Sequence, residues 1–329
     1  MIVSTVRRSL QFVGHKSAIL SIVVSEDGQY LLSGSMDRSA RLWNVATGEE
    51  LRQFGRRPWF GLHSITAVGF SRKSGKVLTA TRRGTVRLWD LNTGDQLLRV
   101  EHPTRTMTWT NPCPSECFPA VFSPDGRRFL TGSLDRTVRI WDAESGEVVQ
   151  VIDTGPTGVT AAVFSNDGTK VLTGSVGGGV SLWEAATGRA IQRFQEPSFE
   201  GLGAVFSVGM SPDDRFVFAA SSWPYVQLWD LQTGKELRRY GNENLGMIQS
   251  AALSPDATLI VTSSLDRMVR LWEVETTREV VCLDCRLNRR IPQAFLPVVF
   301  SPLGDFLITG SGKNIALRFD LDWTARAVS

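Results

Sequence analysis

The sequence is poor in the residues that carry out chemistry. It holds three histidines in 329 residues, His15, His63 and His102, widely separated along the chain. No HExxH or equivalent spacing occurs, and no G-x-S-x-G, so the sequence offers neither a zinc hydrolase motif nor a nucleophile elbow. Four cysteines are too few for a disulfide scaffold in a chain of this length. No apolar run approaches the ~18 residues needed to span a bilayer. The opening MIVSTVRRSLQF lacks the long apolar stretch of a signal peptide, and no N-x-S/T acceptor is present. Helix-period apolar patterning is missing as well. These absences point to a cytoplasmic, reducing setting, with no membrane contact, no cofactor and no metal. Charge is nearly balanced, at +3 with a pI near 8.8, so composition alone does not call for a nucleic-acid partner.

What the sequence has in abundance is repetition. Aligned on an aromatic position, it reads RLWN to Asn44, RLWD to Asp90, RIWD to Asp142, SLWE to Glu184, QLWD to Asp230, RLWE to Glu273, and LRFD to Asp320 with Phe319 in the tryptophan slot. Successive aromatics lie 42 to 52 residues apart. Each unit has a short apolar run ending in a turn such as SPDG or SNDG, then a second run such as RFLTGS. A tight turn, the tryptophan strand, a turn of the ATG or NTG kind, and a last run such as EELRQF follow. Four short β-rich runs broken by Gly, Pro, Asn and Asp predict four strands joined by three hairpins.

A small sheet that is apolar on both faces cannot bury both alone, and a ring of such sheets solves the problem. The pattern therefore predicts an all-β, seven-bladed β-propeller of four-stranded antiparallel blades, one domain over residues 1–329. Approximate blades are 14–54, 59–100, 116–152, 159–195, 203–240, 246–283, and 294–320 plus 3–12. The last unit runs out after Phe319 without a fourth strand, while RRSLQF to Phe12 matches EELRQF and KELRRY. The N-terminal strand is predicted to pair into blade seven and close the ring.

These residues resemble the WD40-repeat family, through Trp89-Asp90, Trp141-Asp142, Trp229-Asp230 and the Gly14-His15 start of unit one. The resemblance implies a hydrogen-bonded structural tetrad, here His15, Ser33, Asp37 and Trp43. Units three and six match at Thr131, Asp135, Trp141 and at Thr262, Asp266, Trp272, but neither has the histidine. Unit two has Thr79 and Trp89 with Arg83 in the aspartate slot, and His63 stands two residues out of register. Gly177, Trp223 and Lys313 replace the aspartate in units four, five and seven. The full tetrad is expected in blade one only.

Other candidate chemistry fits the ring poorly. The glycines from Gly174 to Gly179, and Gly310-Ser311-Gly312-Lys313, fall in strand-to-strand turns and not before helices, so they read as hairpins and not as phosphate cradles. Cys113 and Cys117 lead into blade three, whereas Cys282 and Cys285 leave blade six. Those sectors are nearly opposite, so one zinc ion could not join the pairs; reduced thiols are expected.

The resemblance implies a top face carrying the blade-to-blade loops and the turns between second and third strands. The loops there vary in length: GRRPWFGLH to His63, EHPTRTMTWTNPCPSEC to Cys117, and RLNRRIPQAF to Phe295. Elongated loops on a rigid scaffold usually carry recognition. Arg38, Arg56, Arg57, Arg82, Arg83, Arg267, Arg289, Arg290 and Lys313 fall on contiguous blades six, seven, one and two, while Glu196, Glu200 and Glu243 mark blades four and five. In the family the residues just before the aspartate slot face the central mouth: here Met36, Arg82, Leu134, Val176, Ser222, Leu265 and Gly312, joined by Met247. Trp59, Phe60 and Trp109 flank them. An apolar mouth beside a basic sector suits an acidic or phosphorylated partner segment with an apolar anchor.

The sequence thus points to a monomeric, non-enzymatic protein-interaction scaffold whose partner-binding face includes Met36, Arg56, Arg57, Trp59, Arg82, Arg83, Leu134, Leu265, Arg289 and Arg290. An RNA-associated propeller is the main alternative, and a small-molecule-binding or enzymatic propeller using the channel is a weaker one.

Overall fold

The structure, a computed structural model, describes residues 2–55, 63–103, 119–195, 203–285, 296–311 and 314–324. Among the described residues every regular element is a strand. β1 (Ile2–Val13) precedes blade one, formed by β2 (Ile19–Val24), β3 (Tyr30–Ser35), β4 (Ala40–Asn44) and β5 (Glu50–Phe54). Blade two is β6 (Ile65–Ser71), β7 (Lys76–Thr81), β8 (Thr85–Asp90) and β9 (Gln96–Glu101). Blade three is β10 (Ala120–Phe122), β11 (Arg128–Gly132), β12 (Thr137–Asp142) and β13 (Val148–Asp153). Blade four is β14 (Val159–Phe164), β15 (Lys170–Ser175), β16 (Val180–Glu184) and β17 (Ala190–Gln195). Blade five is β18 (Val205–Met210), β19 (Phe216–Ser221), β20 (Tyr225–Asp230) and β21 (Glu236–Gly241). Blade six is β22 (Ile248–Leu253), β23 (Leu259–Ser264), β24 (Met268–Glu273) and β25 (Glu279–Asp284). Blade seven comprises β26 (Val298–Phe300), β27 (Phe306–Gly310), β28 (Ile315–Thr324) and β1.

The first strand of the chain is thus the outer strand of the last blade. β1 pairs antiparallel with β28 from Ile2↔Thr324 to Val13↔Ile315, with irregularities at Val3/Thr5 and Arg8/Leu10. Where every other blade turns back after its third strand, β28 runs on through Leu321 to Thr324. Residues beyond Asp320 pair with β1 and have no register on β27. The fourth strand missing from the last repeat is supplied here, and the third strand is longer than the repeat suggests.

Burial rises and falls across each blade as the sequence pattern demands. Second strands such as KVLTAT and LIVTSS are almost wholly buried because neighbouring blades cover both faces. Fourth strands such as QLLRVE alternate and lie at the rim, with Leu97 half exposed. The core is not one mass but seven clusters, one per blade interface. Phe12, Ile19, Leu31, Trp43 and Ile308 join blades seven and one; Leu32, Phe54, Ile65, Val77 and Trp89 join one and two. Phe319 takes the place of tryptophan between blades six and seven. Each interface has a nearest neighbour only, so the ring is held as a closed chain of contacts.

Polar staples reinforce these interfaces at both radii. Near the axis, Ser21 Oγ accepts from Val68 N–H, Ser250 Oγ accepts from Val298 N–H, and the Ser207 hydroxyl donates to Ala251 O. At the rim, the Arg52 guanidinium donates to Asn92 O and Thr93 O in the next blade's turn. Gly94 in that turn sits at φ +80°, a left-handed backbone that favours glycine.

Candidate functional site

Blade one holds the predicted hydrogen-bonded chain. Trp43 N–H donates to Ser33 Oγ (2.8 Å), and Ser33 Oγ lies 2.7 Å from His15 Nε2. His15 Nδ1 lies 2.8 Å from Asp37 Oδ2, which can only accept. Nδ1 therefore carries the proton, and Ser33 donates to Nε2. Burial alone would raise the Asp37 carboxyl, but hydrogen bonds from His15, Ser39 and Lys16 N–H hold it far below its usual range.

A second complete network exists in blade three, which the sequence reading assigned to blade one alone. Trp141 N–H donates to Thr131 Oγ1 (2.8 Å), which lies 2.7 Å from Nδ1 of buried His102. His102 Nε2 faces Thr137 Oγ1 at 3.0 Å and Asp135 at 3.4 Å. Because the Thr137 hydroxyl donates to Asp135 Oδ1, it accepts from Nε2–H. The imidazole is thus turned the other way round from His15. His102 is held on blade two by its N–H to Gly84 O, and residues 104–118 separate it from the first strand of blade three. That insertion moved the histidine out of the spacing seen at Gly14-His15. Burial pushes the His102 pKa down to about 4, although Asp135 acts to raise it.

Elsewhere the network is partial. Trp89, Trp183 and Trp272 donate to Thr79, Thr173 and Thr262 at 2.8–2.9 Å. In blade six the guanidinium of Arg270, 2.6 Å from Asp266, takes the position of acid partner that histidine fills in blades one and three.

The described turns between second and third strands lie at one end of the ring. Met36 N–H donates to Ala18 O, Val176 N–H to Gly158 O, Ser222 N–H to Ala204 O and Leu265 N–H to Met247 O. Each bond sets the turn beside the start of its own blade's innermost strand, at the mouth of the channel. Met36 is 45% exposed; Leu134, Val176, Ser222 and Leu265 are half-buried. The channel encloses about 450 Å³ and is bordered by the innermost strands of all seven blades. Its described lining, from Met36, Leu20 and Ile22 round to Phe206, Ser250 and Pro297, contains no charged side chain.

In blades one, three and six these turns read Met-Asp-Arg, Leu-Asp-Arg and Leu-Asp-Arg. Each aspartate is turned inward and caps its own turn: Asp37, Asp135 and Asp266 accept from the N–H of Ser39, Thr137 and Met268. Each arginine has a left-handed backbone, at φ 72° for Arg38, 76° for Arg136 and 66° for Arg267. Blades two and four have glycine there, Gly84 and Gly178, and blade seven has Asn314. Arg38, Arg82, Arg83 and Arg136 are exposed and Arg267 is half-buried.

The structure therefore brings Met36, Arg82, Arg83, Leu134 and Leu265 to one face. Arg56, Arg57, Trp59, Phe60, Trp109, Arg289, Arg290, Gly312 and Lys313 lie outside the described residues, as do Glu196, Glu200, Cys113 and Cys117. Arg136 escaped the sequence reading, though it shares its Asp-Arg turn with Arg38 and Arg267. Its presence extends the basic sector into blade three. Trp223 was read only as a missing aspartate; it is a 45% exposed indole on the same face. Among the described residues no three His, Cys, Asp or Glu side chains gather as metal ligands. No helix among them is long and apolar enough to cross a membrane.

Comparison with known proteins agrees with this architecture. The chain is 27% identical over 229 residues to Protein tipD of Dictyostelium discoideum, covering 69% of this chain and 35% of that protein. It is 33% identical over 145 residues to eukaryotic translation initiation factor 3 subunit I of Emericella nidulans, covering 42% and 41%. It is 30% identical over 147 residues to a guanine nucleotide-binding protein subunit beta of Oryza sativa subsp. japonica, covering 44% and 36%. The matched stretches span about a third to two-fifths of the length of these relatives. The family model for the WD domain, G-beta repeat (WD40), matches residues 6–44, 60–90, 117–142, 146–184 and 234–273, just over half of the chain. With seven four-stranded blades and these repeats, the chain belongs to the WD40 family.

Proposed function

We propose that the chain is a single-domain, non-catalytic interaction scaffold, monomeric and cytoplasmic, that binds another protein across its top face. The observation that carries this reading is the placement of Arg38, Arg136 and Arg267. A non-glycine residue in the left-handed region costs about 1–2 kcal/mol, and such strain gathers at functional positions. Three blades hold an arginine there while two others use glycine. The aspartate of each turn is hydrogen-bonded within the turn, and the exposed Arg38 and Arg136 present cations to solvent beside an apolar mouth at Met36, Leu134 and Leu265. That combination suits an acidic or phosphorylated segment with an apolar anchor. Arg56, Arg57, Trp59, Arg289 and Arg290, on loops of the same face by sequence, belong to the proposed surface with Arg82 and Arg83.

Two relatives are named as subunits, of a translation initiation factor and of a guanine nucleotide-binding protein, which supports assembly as the role of this chain too. Chemistry in the channel has less support. The described lining is uncharged, and His15 and His102 are engaged in the blade networks. Nucleic acid is the second reading, since exposed arginines also suit phosphates.

Affinity capture from native lysate tests the proposal, comparing wild type with a variant carrying Arg38→Gly, Arg82→Ser, Arg136→Gly and Arg267→Gly. Proteins and nucleic acid are identified side by side. A protein retained by wild type and lost from the folded variant supports the top face. Equal retention removes that face, and recovery of nucleic acid alone sinks the scaffold reading.

A further inference from the structure

The turn of blade five departs from all the others. Where blades one, three and six have Asp-Arg, it has Trp223-Pro224, and Tyr225 follows. The Trp223 indole is 45% exposed and stacks on Tyr225, with ring centroids 6.3 Å apart and planes 14° from parallel. The surroundings fix this stack in place. Ser222 Oγ accepts from Ala204 N–H, and Ala204 follows Gly203, where a Cβ would stand 3.3 Å from the indole Nε1. Tyr225 pairs with Gly241, which lies so close to Pro224 that an added Cβ would stand 2.2 Å from the Pro224 carbonyl oxygen. A large flat aromatic held rigidly and left open to solvent loses little entropy on binding and exposes costly apolar surface without a partner.

Acidic and basic groups both lie beside it. Glu243 is exposed in the turn that follows Gly241, and the Trp223 carbonyl accepts from Ile248 N–H on the far side of that turn. The segment GNENLG that forms this turn carries Glu243 and neither lysine nor arginine. The Arg239 guanidinium lies 4.8 Å from the Tyr225 ring centre and is hydrogen-bonded to Glu236 through Nε and Nη2, so this cation is already committed. That internal triad of guanidinium, aromatic ring and carboxylate shows what the site accepts. Trp223 and Glu243 are both exposed, Trp223 just before the strand pair β20–β21 and Glu243 in the turn that follows it.

We propose that the Trp223–Tyr225 platform receives an arginine side chain from the partner protein, stacked on the indole and steered by Glu243. Arginine fits better than lysine because its planar guanidinium stacks on an aromatic face and is weakly hydrated. The inference rests on the scaffold reading above and adds to it an orientation. The partner lays its acidic segment across the Asp-Arg turns and its arginine on blade five, so the top face reads the direction of the bound chain.

The test uses the whole protein labelled with 5-fluorotryptophan, with the Trp223 resonance assigned by its loss in Trp223→Phe. The probe is an N-acetylated, C-amidated Gly-Gly-Arg-Gly-Gly peptide, run against the same peptide with glutamate or leucine at the centre. A saturable shift of the Trp223 resonance with the arginine peptide alone is expected. Glu243→Gln should weaken that titration about two- to fivefold, the range of an exposed ion pair. No saturable shift overturns the proposal, and so does an equal shift with the leucine peptide, which would make the platform a general apolar contact. Failure here is separable from failure of the scaffold reading. An unshifted resonance with capture still lost in the Asp-Arg turn variant retires the arginine site alone. A shift without any captured protein retires the scaffold alone.

Discussion

His102 Nε2 and Asp135 Oδ2 stand 3.4 Å apart in blade three, with Thr137 bonded to both side chains. The imidazole is buried, and its pKa near 4 lies below the ~6.5 of an unfolded histidine because burial penalises its charged form. The native state therefore binds the proton less readily than the unfolded chain. Stability from this residue is complete above pH ~6.5 and falls as pH drops towards 4, by an amount of order 3 kcal/mol at most. Urea unfolding at pH 7 and pH 4.5 should show this loss in wild type and a smaller one in His102→Gln. An equal pH dependence in both proteins would remove His102 as the cause.

The hydroxyl at the centre of each network should matter in proportion to what it serves. Thr131 Oγ1 accepts from Trp141 and donates to His102, whereas Thr173 Oγ1 accepts from Trp183 and makes a longer contact to Ser181 O. Thr131→Val leaves two buried polar groups short of a partner. It should cost about 2–3 kcal/mol, against about 1 kcal/mol for Thr173→Val. Denaturant midpoints of the two variants decide the matter.

Relief of the left-handed arginines should separate stability from binding. Arg38→Gly, Arg136→Gly and Arg267→Gly each remove steric strain, partly offset by the greater freedom of glycine in the unfolded chain. The expected change lies between none and a gain of about 1 kcal/mol per site. Thermal melting together with partner capture checks this: unchanged or raised melting with reduced capture is expected, and a clear loss of stability would mean that the arginines hold the turns.

Ring closure should depend on Phe12. It is fully buried, meets Trp43 edge-on with centroids 6.0 Å apart, and joins the blade seven–blade one cluster. Phe12→Ala should cost about 3–5 kcal/mol. A loss below about 1 kcal/mol by urea denaturation would show that the β1–β28 ladder closes the ring without this anchor.

Several of these features were readable from local chemistry, and others were not. The Trp-Asp strands, the SPDG turns and the displaced RRSLQF strand each state their structure within a few residues, so the blade number and the closing strand could be read directly. The network at His15, Ser33, Asp37 and Trp43 obeys the same short spacing. His102 does not: residues 104–118 stand between it and β10, and its partners are 29 and 33 residues ahead. Arg136 was legible in the repeated Asp-Arg turn but was passed over. The exposure of Trp223 had no sequence signal beyond its odd position.

The seven four-stranded blades and the strand that shuts them follow from local sequence, because strand period and turn residues act over neighbouring positions. That His102 completes blade three from across an insertion follows only from the packing of the ring. Packing likewise set the arginines of blades one, three and six round one mouth and left Trp223 exposed beside the turn that carries Glu243. These relationships arise where separate blades meet in the ring, and contacts between distant segments follow from packing, which no local pattern encodes.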